Sequence, residues 1–184
     1  MTIVEAMKQI LRRSPGACIL ACAPSNSAAD VITLRLSELL QPNTLFRFYA
    51  PSREKKAVPP NLLRYTFTNA DGLFSHPPLA TVKAFRVIVC TCLSAAFASG
   101  IGVQRGHFSY IFIDEAGQAT EPDVMVVVKS IADATTKLIL SGDPKQLRPI
   151  VYSAIANELG LNISYLERLM ERDAYRGPNN GSTG

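Results

Sequence analysis

The chain has 184 residues, of which 47% are hydrophobic and 18% charged; this balance supports one globular domain with a real core and excludes a disordered protein. A formal net charge of +4 favours an anionic partner but is too small to identify one. No apolar run reaches the length of a membrane span, the start lacks a signal-peptide pattern, and no internal repeat is visible.

Thr2 to Arg12 is predicted helical, because Ile3, Val4, Met7, Ile10 and Leu11 recur at helical spacing and Ser14–Pro15–Gly16 ends the run. Ala17 to Ala23 is a short continuous apolar run and predicts a central strand. A helix should follow from about Ala28 to Leu40, capped by Ser25, Asn26 or Ser27 and stopped by Gln41–Pro42. Leu45 to Tyr49 predicts a short strand. Residues 51–84 form an irregular excursion rich in proline, with a basic cluster at Arg53, Lys55 and Lys56 and then Arg64 and Tyr65. A solvated loop and a backbone-binding loop with aromatic stacking are the two readings of it.

Phe85 to Thr91 predicts another buried strand, and Ser94 caps a short helix behind it. Tyr110 to Ile113 is apolar or aromatic without alternation and runs straight into Asp114–Glu115. Such a run reads as a strand buried on both faces, with the carboxylates at its carboxyl end, where open α/β sheets keep their ligand sites. Beyond them Thr120 can cap a helix, Pro122 suits its first turn and Asp123 favours its dipole. The apolar run Val124 to Val128 leaves a strand as the alternative there. A second run predicted to be buried, Lys137 to Leu140, leads into Ser141–Gly142–Asp143–Pro144 and Gln146. Residues 153–159 and 164–171 predict two short helices, and 176–184 a disordered tail.

The alternation of strands and helices predicts an α/β class. An acidic pair after a strand is common by itself. Two strand-end motifs delivered to one crevice are far more specific, because phosphate chemistry needs such parts: a carboxylate for Mg²⁺, a second to position or deprotonate water, and a polar side chain at the γ-phosphate. The four cysteines, Cys18, Cys22, Cys90 and Cys92, fall in predicted strands far from His76 and His107. Buried reduced thiols are therefore the preferred reading over a zinc site.

DEAGQATEP and GDPKQLRP, at residues 114–122 and 142–149, resemble motifs II and III of superfamily-one RNA helicases of the nonsense-mediated-decay type. With LGLNISYLERLM further on, the pattern most resembles the Armitage and Moloney-virus-resistance silencing helicases. The resemblance implies a RecA-like, P-loop-NTPase-type parallel sheet with helices on both faces, spanning residues 1–175. It implies ATP and Mg²⁺ as cofactors of the complete enzyme and single-stranded RNA as partner, with silencing or decay proteins as further partners in the cytoplasm or in RNA granules. On it, Asp114 holds Mg²⁺ through water, Glu115 is the base, and Gln146 contacts the γ-phosphate, with Gly142 and Asp143 shaping the turn. APSNSAAD resembles motif Ia, which places Pro24, Ser25 and Asn26 on the sugar–phosphate backbone; Thr91 and Cys92 match the family's next strand-end turn beside the bound strand. The family's GxxGxGKT phosphate loop has no counterpart, and the sequence begins where that loop would end. The expectation is thus a first RecA-like domain incomplete at its N-terminus, inactive alone and marginally stable. A non-catalytic RNA-binding or scaffolding remnant and a DNA helicase of the same superfamily are the alternatives.

Overall fold

A computed structural model describes residues 2–143 and 145–175. Pro144 of the second strand-end motif and the tail predicted to be disordered, 176–184, lie outside the described residues. In chain order the elements are α1 (Thr2–Arg13), β1 (Ile19–Ala23), α2 (Asn26–Leu36), β2 (Leu45–Arg47), α3 (Leu79–Ala84), β3 (Val87–Thr91), α4 (Ala96–Gly100), β4 (Tyr110–Ile113), α5 (Glu121–Ile131), β5 (Lys137–Leu140), α6 (Ala154–Glu158) and α7 (Tyr165–Met170). The strands form one sheet in the order β2-β3-β1-β4-β5, and every pairing is parallel. Among the described residues no helix is long and apolar enough to cross a membrane.

The central strands are apolar throughout because both faces are covered, as parallel sheets require. Ile19, Ala21, Val87, Val89 and Phe112 pack on one face with Ile3, Val4 and Met7 of α1 and Ala29, Ile32 and Leu36 of α2. Leu20, Cys22, Ile88, Cys90, Ile111 and Ile113 pack on the other with Ala98 of α4 and Val124, Val127 and Ile131 of α5. The apolar run after Thr120 is thus a helix. Its N-terminus decides the matter: Asp123 N donates to Thr120 Oγ1 at 3.3 Å, and Asp123 Oδ2 accepts from Thr120 N at 3.0 Å. This reciprocal box satisfies two donors that a strand would have left to a neighbour.

One expectation is corrected. Lys137–Leu140 forms a strand in register with Tyr110–Ile113, but it is not buried: Lys137 and Leu138 are exposed and Ile139 and Leu140 half-buried. Among the described residues it is an edge strand, paired with β4 alone, so one row of its backbone groups has no ladder partner there. The segment that follows is similarly open, with Leu147, Ile150, Tyr152, Ile155 and Leu159 all at least 70% exposed.

The excursion also differs from its aromatic-stacking reading. It carries 3-10 turns at Lys55–Ala57 and Pro60–Tyr65, and Tyr65 is buried, its hydroxyl donating to Leu40 O at 3.2 Å. Arg64 stacks over that same ring, 5.0 Å from its centroid. Tyr65 therefore fastens the excursion to the end of α2 and has no free face for a base.

Candidate functional site

The sheet brings its carboxyl-end turns together through backbone bonds. Asp114 N donates to Cys22 O at 2.9 Å, tying the end of β4 to β1. Ser141 N donates to Ile113 O at 2.9 Å, and Ala116 N to Ser141 O at 2.8 Å. The acidic turn after β4 and the glycine turn after β5 are thereby locked side by side. Asp114 is half-buried and Glu115 exposed.

Glu115 has φ 53° and ψ 37°, the left-handed region, and no other non-glycine described residue has a positive φ. A side chain there costs on the order of 1–3 kcal/mol and persists where its surroundings over-determine it, which is typical of functional turns. The next residues fold as a 3-10 turn, Ala116–Gln118, and Gln118 Nε2 donates to Glu115 Oε2 at 3.2 Å.

Gly142 is required by space as well as by conformation. Its φ is +155°, and a Cβ there would stand 2.9 Å from Ala116 N and 3.0 Å from Gly117 N. Both neighbours are backbone and cannot step aside. Gly142→Ala should therefore cost about 1–3 kcal/mol, read as a lower urea midpoint. Gly16→Ala is the control, since a Cβ at Gly16 meets nothing within 4 Å.

Asp143 closes its own turn. Its Oδ1 accepts from Lys145 N at 2.9 Å and its Oδ2 from Gln146 Nε2 at 3.1 Å. The Lys145 backbone bond, then the Gln146 amide, hold the Asp143 carboxyl below its ordinary value. Gln146 is exposed, and the Asp143 bond sets its direction.

The donor set suits a magnesium ion that keeps most of its water, because Asp114 offers a hard carboxylate oxygen at a strand end. The turn itself has few donors left to wrap a phosphate. Ala116 N, Gln118 N and Ala119 N are already committed to Ser141, Glu115 and Ala116 carbonyls.

Beside these residues lies a cleft of about 280 Å³ lined by Pro24, Ser25, Gln118, Thr120, Asp123, Leu147, Arg148 and Ile150. Three strand-end segments that are distant in sequence meet in it. Ser25 is exposed and caps α2, its Oγ accepting from Ala28 N at 3.2 Å. Among the described residues Arg148 is the one cation in this wall, and its Nη2 donates to Glu167 Oε1 at 2.8 Å.

The predicted contacts thus divide. Pro24 and Ser25 stand in the cleft. Asn26 is half-buried, and its Oδ1 accepts from Arg47 Nη2 at 2.9 Å, so its carbonyl is committed within the protein. Thr91 is half-buried, with Oγ1 donating to Ser94 Oγ at 2.8 Å. Cys92 corrects the expectation: it is 1% exposed and packs in the core, so its side chain cannot touch a strand. Burial also pushes its thiol well above the ordinary range. Cys22 Sγ lies 3.8 Å from Cys90 Sγ on the adjacent strand, and this bond, with burial, raises the Cys22 thiol as well. Gln118 and Arg148 were not singled out from the sequence, and Thr120 was singled out as a helix cap, not as a cleft residue. Gln118 had a signal, since a residue three beyond Glu115 in a turn can reach back to it.

A model of the AAA domain, AAA_11, matches residues 79–154. The chain is 41% identical over 182 residues to the Homo sapiens RNA helicase Mov10l1, covering 98% of this chain and 14% of that protein. It is 36% identical over 194 residues to the Drosophila melanogaster probable RNA helicase armi, covering 96% of this chain and 16% of that protein. Among solved structures, the Arterivirus nonstructural protein 10 helicase with DNA is similar at a TM-score of 0.44 and 10% identity, over 83% of this chain and 29% of that one; a likeness so loose adds nothing to the fold already described. The motifs at residues 24–30, 114–122 and 142–149, seated at the carboxyl end of a parallel sheet, and identity along nearly the whole sequence agree: this chain belongs to the Armitage, MOV-10 and Mov10l1 group of superfamily-one helicases.

Proposed function

We propose that this chain is the part of an ATP-dependent RNA helicase that carries the hydrolytic carboxylates and one wall of the RNA path. The observation that supports it most is the meeting of Ser25, Gln118 and Arg148 in one cleft, with Gln118 bonded to Glu115. When bound, ATP would supply the phosphoryl group and its magnesium ion would neutralise the developing charge. Asp114 would hold that ion through its water. Glu115, fixed in its left-handed turn, orients the attacking water and takes its proton. Gln146, aimed by Asp143, donates to the γ-phosphate oxygens. Ser25 and Arg148 receive the sugar–phosphate backbone, contacts that position a strand without reading its bases. RNA as the nucleic acid rests on the relatives, three of which are named RNA helicases or probable RNA helicases.

The chain spans 14% and 16% of the Homo sapiens and Drosophila melanogaster relatives, so we expect it to bind single-stranded RNA weakly and to hydrolyse no ATP alone. Fluorescence anisotropy with labelled oligouridine checks the first statement. Ser25→Glu with Arg148→Glu places like charge beside the phosphates, and affinity should fall about tenfold or more. Unchanged affinity in a folded double variant would sink the cleft assignment, and RNA-stimulated phosphate release by the pure chain would sink the second statement.

A further inference from the structure

Arg47 sits in β2 with its side chain wholly buried. A cation inside a sheet is expensive unless every donor is used, and here the donors are used on particular atoms. Nε donates to Asp30 Oδ1 at 2.9 Å, and Nη2 lies 2.8 Å from the same oxygen. Nη1 donates to Phe48 O at 2.6 Å. Nη2 also donates to Asn26 Oδ1 at 2.9 Å and lies 3.4 Å from Asn26 O. The guanidinium carbon lies 4.0 Å from the Tyr49 ring centroid, and Tyr49 OH donates to Asp30 Oδ1 at 2.6 Å. Burial holds the Tyr49 phenol far above its ordinary value, so it stays a donor.

Stability alone does not explain this network. A buried ion pair is often no more stabilising than well-packed apolar residues of the same volume. Its geometry has another consequence. Asn26 is the first residue of α2, Asp30 stands four residues on, and Ser25 is the N-cap that faces the cleft. Arg47 grips both the first and fifth residues of the helix, so the capping turn cannot rotate or fray independently of the sheet.

We propose that Arg47 and Asp30, acting through Asn26, are positioning residues that hold the Pro24–Ser25 turn in its RNA-binding geometry. This rests on the reading of the cleft as an RNA path. Neither side chain touches RNA; their contribution is to remove the ordering cost of the turn on binding.

A double-mutant cycle tests it. Wild type, Arg47→Lys, Asn26→Ala and the double variant are titrated into labelled oligouridine of about 12 nucleotides at about 50 mM salt, and each is melted in parallel. Arg47→Lys keeps the charge but loses the fork; Asn26→Ala removes the acceptor and keeps the Arg47–Asp30 pair. Each single change should weaken binding about five- to tenfold, the scale of one ordinary net hydrogen bond, and the double variant should be no weaker than the worse single one. Effects that multiply, or wild-type affinity in a folded Arg47→Lys, overturn the positioning role. Asn26→Ala decides the matter even where Arg47→Lys does not fold, because unchanged affinity there overturns it alone. No binding by wild type is a different failure: it overturns the cleft reading, and this proposal falls with it.

Discussion

Arg47→Ala should cost this chain about 3–5 kcal/mol of folding stability, because it strands the Asp30 carboxylate with one phenol for a partner. A domain of ordinary stability has only about 5–15 kcal/mol to lose, and this sheet ends on an open edge beside an exposed apolar segment. The variant should therefore lose a large share of its stability margin. Urea denaturation followed by circular dichroism reads the effect as a collapse of the midpoint. The paired control is Arg47→Met with Asp30→Leu. It removes both charges at similar volume and should cost less than the single Arg47→Ala change. If the double substitution is the more damaging, the ion pair itself stabilises the fold beyond satisfying its own burial.

Glu115→Gln, placed in a full-length helicase carrying this sequence, should lower RNA-stimulated ATP turnover by about 10²–10³, the usual loss when one pre-organised transition-state group is removed. The amide keeps the volume and can still accept from Gln118 Nε2, which now lies 3.2 Å from Glu115 Oε2, so the turn should survive. It cannot take a proton from water. The expected signature is a fall in kcat with KM for ATP nearly unchanged, measured by steady-state phosphate release. A rise in KM at constant kcat would instead make Glu115 a binding group and leave the base unassigned. Glu115→Gly is an informative companion. Glycine relieves the positive φ, so this variant should be more stable than the glutamine one while equally slow.

The order and kind of the elements were legible in the sequence because the signals were local and redundant. Ile19–Ala23 and Tyr110–Ile113 are uninterrupted apolar runs, and a strand covered on both faces has no other pattern available. Ser25 and Thr120 are caps with the chemistry caps need, and both act as such. The pairing of DEAGQ with GDPKQ marked one crevice because each motif ends a strand. Boundaries were less legible: α2 begins at Asn26 and ends at Leu36, earlier at both ends than its apolar pattern suggests, since Ser25 starts it and a tight turn at Ser37 stops it.

What only the tertiary structure decided are matters of neighbourhood. The run Lys137–Leu140 reads as core, yet it is an edge strand, because burial of a strand depends on what pairs beside it and not on its own residues. Cys92 reads as part of a strand-end turn, but the packing of α4 and α5 closes over it. The pairing of Arg47 with Asp30 has no local signal, because no spacing rule links residues 17 apart on different elements. The sequence by itself determined the local conformations and the pair of strand-end motifs, whose physics acts over a few residues. The three-dimensional arrangement decided which side chains are free and which are held, because a hydrogen bond or a buried surface is a property of two partners that the chain brings together only on folding.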